Sequence, residues 1–295
     1  MKKLKVKIYD QYDPISFGKL QPRESDCWEN VGDDNPELTI IFNATTSTPS
    51  IPVALYCCEP YEVMKFYNGL DHNKQRLILT CQSDSVVGVY TYDKSLEGQH
   101  PKIKTITPSA GPWISEGDRK IYTKTKNLSM ISSTKNFCSG HTKRLRTMSR
   151  LMELNCGFGL YGNAANNPIG GELDAKLESH RDYRFSIIIE NEQISGWHTE
   201  KILDCFLTGT VPIYWGDPSI SDIFDVNGIL QMDDFLDIDP QSWTRESFDV
   251  FSADLYESII DSVKNNFDIA LNNAKKYSLL ENVNKICQEF MNENA

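Results

Sequence analysis

The sequence has no apolar run approaching the ~20 residues that a membrane-spanning helix needs. Basic residues are not in excess either: 30 Lys and Arg stand against 41 Asp and Glu, a net charge of −11. A protein that coats nucleic acid is usually basic, so that class is disfavoured, although a few local cations suffice for an anionic small molecule. The eight cysteines contain no Cys-x-x-Cys pair. Cys57 and Cys58 are adjacent, and adjacent residues on a strand point to opposite faces. Several cysteines lie in apolar runs, where a thiol behaves as a small hydrophobe. They are expected to be reduced structural thiols in a reducing compartment. The opening Met1-Lys2-Lys3-Leu4-Lys5-Val6-Lys7-Ile8 is basic but lacks the apolar stretch of a secretory signal. The sequons at Asn43 and Asn127 are therefore taken as chance. Internal repeats and low-complexity tracts are missing too. What is present is a chain of 295 residues, 40% hydrophobic and 24% charged. That is a folded composition, long enough for one large domain or two ordinary ones.

Short β-branched runs bounded by turn formers predict strands over 4–9, 38–42, 53–57, 77–81 and 103–107. From residue 128 the pattern is clearer: a strand over 128–132, then a helix over 140–154 with Leu145, Met148, Leu151 and Met152 at helical spacing. A strand over 158–161, a charged helix near 173–180, a strand over 185–190, a helix over 199–207 and strands over 211–215 and 228–232 follow. From Asp254 onward the chain reads as helical. Strand and helix alternating at this spacing imply βαβ units and parallel sheets. The polar stretch 115–126 is the expected boundary, giving domains 1–125 and 126–295. Ligands of open parallel sheets bind beyond the carboxyl ends of the strands, and with two such domains the cleft between them is the default site.

The most informative stretch runs from Phe185 to Gly216. Three β-branched residues precede Glu190 and Asn191, so these two sit where a strand ends and a crevice should open. Thr199 suits a helix N-cap, with Ile202, Leu203 and Phe206 forming the buried face and Gly209 a stop. Glu200 and Lys201 then fall in the first turn. A helix N-terminus disfavours a cation, so Lys201 there suits binding of an anion such as a diphosphate together with the free amides. A solvated helix start with both side chains in water is the alternative.

The run FSIIIENEQISGWHTEKILDCFLTGTVPIYWGDPSI resembles the signature of the α1,3/α1,4-fucosyltransferase family. The shared parts are an aromatic, an apolar strand, Glu-Asn, an aromatic, Thr-Glu-Lys, a helix, then Pro and a strand ending in Gly. Asp233-Asp234-Phe235 resembles the family's later acidic-aromatic element, and the match is dense over 128–235. The resemblance implies an α/β fold of the GT-B type, with two Rossmann-like domains facing across a cleft and, in this chain, a helical C-terminal tail. It implies the donor GDP-fucose on the C-terminal domain and a glycan acceptor on the N-terminal one. The reaction implied is inverting transfer of L-fucose, with an α1,3 or α1,4 link to GlcNAc as the family default. A different nucleotide-sugar donor, or a non-catalytic carbohydrate-binding role, are the alternatives.

Carried over residue by residue, Lys201 matches the lysine that contacts donor phosphate. Glu200 matches a carboxylate for donor hydroxyls. Glu190, Asn191 and Trp197 match positions lining the donor pocket. The family often has Tyr where Trp197 stands, and an indole N–H would meet phosphate with different geometry. The turn at 133–139 and the helix after it resemble the family's Ser-rich turn followed by Arg. Arg144 is the candidate second phosphate cation, since a guanidinium spans two oxygens, with Lys143 and Arg146 as alternatives. His141 faces the donor or caps the helix, and Tyr161 borders the nucleotide pocket. Glu59, held extended by Pro60 at the end of an N-domain strand, resembles the family's base, with Glu62 as its competitor. No metal is expected to be required, since Arg144 and Lys201 offset the diphosphate. Related animal and plant enzymes are anchored by an N-terminal span. This chain opens on a strand, which suggests a microbial or viral cytoplasmic enzyme.

Overall fold

In the computed structural model, the described residues are 2–10, 25–43, 51–68, 73–107, 111–165 and 172–294. They fall into two units: 1–110 with Ser195–Trp197 and Lys275–Ala295, and Gly111–Ile194 with His198–Ala274. In the first unit the apolar runs become β1 (Leu4–Asp10), β2 (Trp28–Asn30), β3 (Leu38–Phe42), β4 (Val53–Tyr56), β5 (Val86–Thr91) and β6 (Ile103–Thr105). They pair in the order β2-β1-β3-β4-β5-β6, all parallel. β3 and β4 are buried throughout, as strands covered on both faces must be. Helix α1 (Tyr61–Asn68) follows β4, and α2 (Lys74–Thr80) leads to β5.

Residues 77–81, expected as a strand, instead form the body and end of α2. The Asn73 side chain accepts from the Arg76 amide at 3.0 Å and caps the helix. Leu77 is buried while Leu79 is exposed, a one-sided burial. A short apolar run has no period of its own, so the cap decides. The strand of this region is β5, eight residues downstream of where Ile78 stands.

The second unit runs β7 (Lys126–Ile131), α3 (Ser139–Leu154), β8 (Gly159–Tyr161), α4 (Glu172–His180), β9 (Tyr183–Ile189), α5 (Glu200–Phe206), β10 (Val211–Trp215), β11 (Leu230–Gln231) and α6 (Met232–Phe235). Helices α7 (Ala253–Ser258) and α8 (Ile260–Asn273) follow. The strands are parallel in the order β11-β10-β9-β7-β8. The expected strand over 228–232 shrinks to two residues, because Met232 is buried and opens a helical turn. Leu128, Met130, Phe185, Ile187, Ile189, Val211 and Ile213 pack with Met148 and Leu151 of α3 and with Trp243 and Phe251. Truncating Leu151 to Ala would cost about 2–5 kcal/mol. At the amino ends of the strands, Lys124 is buried. Its Nζ donates to the carbonyls of His180 (3.1 Å), Arg181 (3.2 Å) and Thr208 (2.8 Å) and to Thr210 Oγ1 (2.9 Å).

From β7 the chain first turns outward to β8 and then returns on the other side of β7 as β9. The order therefore reverses between β7 and β9, a switch point where the carboxyl ends of neighbouring strands leave a crevice.

The last helix, α9 (Leu279–Glu293), differs from expectation. It does not extend the second unit. Val283, Ile286 and Cys287 pack with Val6, Ile40 and Ala54 of the first sheet. Asn282 Nδ2 donates to the Tyr56 hydroxyl at 2.6 Å, and Trp28 Nε1 donates to Asn284 Oδ1 at 2.7 Å. The boundary also falls earlier than residue 125. The amides of Trp113 and Ile114 donate to Asp204 Oδ1 on α5 at 2.8 and 3.1 Å, which fastens that segment to the second unit.

Candidate active site

The crevice of the second unit is built first by a close backbone approach. Gly140, in the first turn of α3, lies against the end of β9, and its amide donates to the Asn191 carbonyl at 2.9 Å. A Cβ there would collide with the Glu190 carbonyl oxygen, so only glycine fits. This contact fixes where the next turn of α3 points. Arg144 lies one turn on, and its Nη2 donates to Asn191 Oδ1 at 2.7 Å.

On the other flank Glu190 is fully buried. Its carboxylate accepts from the Thr199 amide at 2.9 Å and from the Thr199 hydroxyl at 2.8 and 3.0 Å. Lys201 Nζ, 18% exposed, lies 3.1 Å from Glu190 Oε2 and donates to Thr199 Oγ1 at 2.9 Å. Thr199 Oγ1 also accepts from the Lys201 amide at 3.4 Å, the N-cap expected from sequence. Glu190 therefore anchors the start of α5. Breaking a buried pair of this kind costs about 3–5 kcal/mol, because the remaining charge has no counterpart.

The pairing continues beyond the motif. Glu200 Oε1 lies 3.6 Å from Lys201 Nζ and 3.7 Å from Lys176 Nζ, and Lys176 in turn lies 3.8 Å from the buried Asp204 Oδ2. The result is a chain of alternating sign: Glu190, Lys201, Glu200, Lys176, Asp204. Burial works to raise the Glu200 pKa, but Lys201 and Lys176 outweigh it and hold the carboxyl at about 2. Burial works to lower that of Lys201, and Glu190 and Glu200 more than compensate, so it is raised. At Asp204 burial wins over Lys176 and pushes the carboxyl up to about 7. The ammonium of Lys201 and the guanidinium of Arg144 both stay charged at neutral pH.

His141 sits beside these cations in the first turn of α3, edge-on to Phe137 with ring centroids 4.4 Å apart. Burial, then the charges of Arg144, Lys135 and Lys201, hold its pKa down at about 3, so it is neutral. Its buried Nδ1 has no partner among the described residues. Tyr161 ends β8 beside Ile131, the last residue of β7. Its hydroxyl lies 2.8 Å from that of Tyr183, the first residue of β9. Of the alternatives to Arg144, Lys143 is paired with Asp233 at 3.4 Å and Arg146 is exposed.

Glu59 and Trp197 belong to the first unit. Glu59 is half-buried beyond the carboxyl end of β4. Its amide and that of Cys58 donate to Asn43 Oδ1 at 3.0 and 2.7 Å, and its carbonyl accepts from the Tyr92 hydroxyl at 3.1 Å. Trp197 is 2% exposed, its ring 4.6 Å from that of Tyr92.

Sequence reasoning missed Asn43, Tyr92, Lys176 and Asp204. A polar residue closing the expected strand 38–42 was a usable signal for Asn43. Tyr92 follows β5, a strand not recognised. Lys176 and Asp204 carried no signal, since their partners are set only by how α4 and α5 pack.

Two parallel-sheet units, each with helices, make up a fold of the GT-B type. The fold is similar to a crystal structure of an α1,3-fucosyltransferase with GDP, at a TM-score of 0.55 and 14% identity, covering 94% of this chain and 92% of that one. A crystal structure of an α1,3-fucosyltransferase with GDP-fucose matches at a TM-score of 0.51 and 15% identity, over 91% and 81%. At this identity the likeness is one of fold. Residues 121–243 match the family described as glycosyltransferase family 10 (fucosyltransferase), C-terminal part. The likeness to glycosyltransferase family 10, the fucosyltransferases, therefore lies in this segment, less than half of the chain. The α-(1,3)-fucosyltransferase FucT of Helicobacter pylori is 36% identical over 78 residues, 26% of this chain and 16% of that protein. The match spans about a sixth of that curated relative's length. No helix among the described residues is long and apolar enough to cross a membrane.

Proposed function

We propose that the chain transfers L-fucose from GDP-β-L-fucose to a hydroxyl of a glycan, with inversion at the anomeric carbon and an α1,3 or α1,4 link to GlcNAc. The observation that carries this reading is the pair Arg144 and Lys201, held by Asn191 and Glu190 on either side of the switch point, inside the segment that matches the family. Both cations are ionised, partly buried and anchored, which suits them to two phosphates more than to solvent.

In the proposed reaction Glu59 accepts the proton of the acceptor hydroxyl as that oxygen bonds to the anomeric carbon. The bond from that carbon to the β-phosphate breaks, and GDP leaves with the electron pair. Arg144 and Lys201 offset the charge that develops on the diphosphate, Glu200 accepts hydrogen bonds from donor hydroxyls, and neutral His141 adds a polar edge beside them. With two cations in that role, transfer needs no divalent metal. The buried thiols of Cys57, Cys81, Cys205 and Cys287 support action in a reducing, cytoplasmic compartment.

The test is incubation with GDP-fucose and a glycan array, with linkage mapping of any product and a parallel run in EDTA. Fucosylated product formed with and without EDTA is expected. Thermal stabilisation by a UDP-sugar and not by GDP-fucose would overturn the donor assignment. Loss of all turnover in EDTA would overturn the metal-free chemistry.

A further inference from the structure

The turn Cys57-Cys58-Glu59-Pro60-Tyr61 is fastened at several points that the sequence does not advertise. From below, Asn43 holds the amides of Cys58 and Glu59 with one side-chain oxygen. Asn43 itself adopts φ 56°, a left-handed conformation that Asn tolerates better than most residues. From the side, two consecutive residues after β5 grip the turn. The Tyr92 hydroxyl donates to the Glu59 carbonyl at 3.1 Å, and Asp93, 1% exposed, accepts from the Tyr61 hydroxyl at 2.7 Å. Asp93 is kept in place by the amide and hydroxyl of Ser95 at 3.0 and 2.6 Å.

Tyr92 is held in turn by a segment far away in sequence. Residues Ser195–Trp197 belong to the same unit as Tyr92. Gly196, at φ 87°, lies so close to the strand end that a Cβ would collide with the Tyr92 carbonyl oxygen. The Trp197 indole then packs on the Tyr92 ring at 4.6 Å, tilted by 57°. Its Nε1 is buried and has no partner among the described residues. A buried N–H without an acceptor costs stability and adds nothing. What Trp197 contributes is the area and shape of its ring.

We propose that Trp197 and Tyr92 are positioning residues for the Glu59 turn: the indole fixes the phenol, and the phenol fixes the Glu59 backbone. Trp197 therefore serves the acceptor-side carboxylate and is not a phosphate ligand, although its neighbours in sequence, Thr199 to Lys201, belong to the cation site. The kinetic consequence rests on the reading of Glu59 as base. The structural consequence does not.

Three variants separate these points. Trp197→Phe keeps a ring and deletes only the N–H. Trp197→Ala empties the site. Tyr92→Phe removes one hydroxyl and leaves the packing, so it reports even if Trp197→Ala fails to fold. Amide hydrogen exchange over residues 57–61 and steady-state kinetics with GDP-fucose are measured on each. Exchange at Cys58 and Glu59 is expected to speed up by about tenfold in Trp197→Ala and Tyr92→Phe, matching loss of one hydrogen bond of about 1.4 kcal/mol, and to stay near wild type in Trp197→Phe. In the first two, kcat is expected to fall by about 10-fold to 100-fold with donor KM within about twofold, the signature of a misplaced group. An increase of about tenfold in donor KM for Trp197→Phe overturns the proposal, since the indole N–H would then be binding donor. Unchanged exchange in both Trp197→Ala and Tyr92→Phe overturns it as well. Glu59→Gln is the control for the other reading: if it retains turnover, Glu59 is not the base, while the exchange result still decides the positioning.

Discussion

One ammonium, that of Lys201, serves two carboxylates and a hydroxyl at once. Removing it should therefore act twice. Lys201→Met is expected to lower kcat/KM for GDP-fucose by about 10²-fold or more, as loss of a charge-stabilising donor does. It should also destabilise the second unit by about 3–5 kcal/mol, since the buried Glu190 loses its ion-pair partner. Steady-state kinetics and urea unfolding read the two effects separately. Asp204 gives a pH prediction. Its carboxyl is raised to about 7 from an ordinary 3.8. A raised folded pKa means that the folded state holds the proton more tightly. Its contribution to stability is complete below about pH 4 and is lost as pH rises through 7. Asp204→Asn keeps an oxygen for the amides of Trp113 and Ile114 and carries no charge. It should flatten the fall in stability between pH 5 and pH 8.5 and make the protein relatively more stable at the upper end, by urea midpoints at both. At this scale the sequence revealed the residues whose role is local: Thr199 as a cap, Lys201 and Glu200 in its first turn, Arg144 on a basic helix face. Lys176, Asp204 and the buried Lys124 stayed hidden, because a charged residue in a list does not show which carbonyl or carboxylate the fold brings to it.

Elements whose period is clear were legible: α3 and α5 are found close to where helical spacing put them, and the runs at 38–42 and 211–215 are strands. The run at 77–81 was not, because three apolar residues in succession fit either period and the Asn73 cap settles the matter from outside the run. How α3 meets the end of β9 offers a sharp test. Ala has a better helix propensity than Gly by about 1 kcal/mol, so Gly140→Ala would stabilise an isolated α3. In the folded unit the added methyl meets the Glu190 and Asn191 carbonyls. The expected outcome is net destabilisation, with α3 displaced and Arg144 drawn away from Asn191. In thermal-shift titrations with GDP, a ligand under the proposed function, the variant is expected to be stabilised much less than wild type, a larger loss of binding than of fold.

Over the molecule as a whole, two parallel-sheet units were legible from alternation alone, and the membership of the last helix was not. An amphipathic helix declares that it has an apolar face and does not name the sheet that will cover it. The buried face of α9 carries Val283, Ile286 and Cys287 into the first unit. Ile286→Asp is expected to destabilise the first unit by more than about 3 kcal/mol, the scale for loss of a buried aliphatic group with a charge placed in the core. The GDP binding proposed for the second unit is expected to survive at low temperature, with calorimetry as the measurement. The same arrangement governs biosynthesis. Strands β1 to β6 leave the ribosome before the helix that seals one face of their sheet, and the whole second unit is translated in between. The cation-bearing unit lies wholly between and can finish folding on the ribosome. The early sheet must wait, apolar side outward, for the codons of α9, so its exposure to chaperones or to aggregation is set by the time taken to translate everything in between.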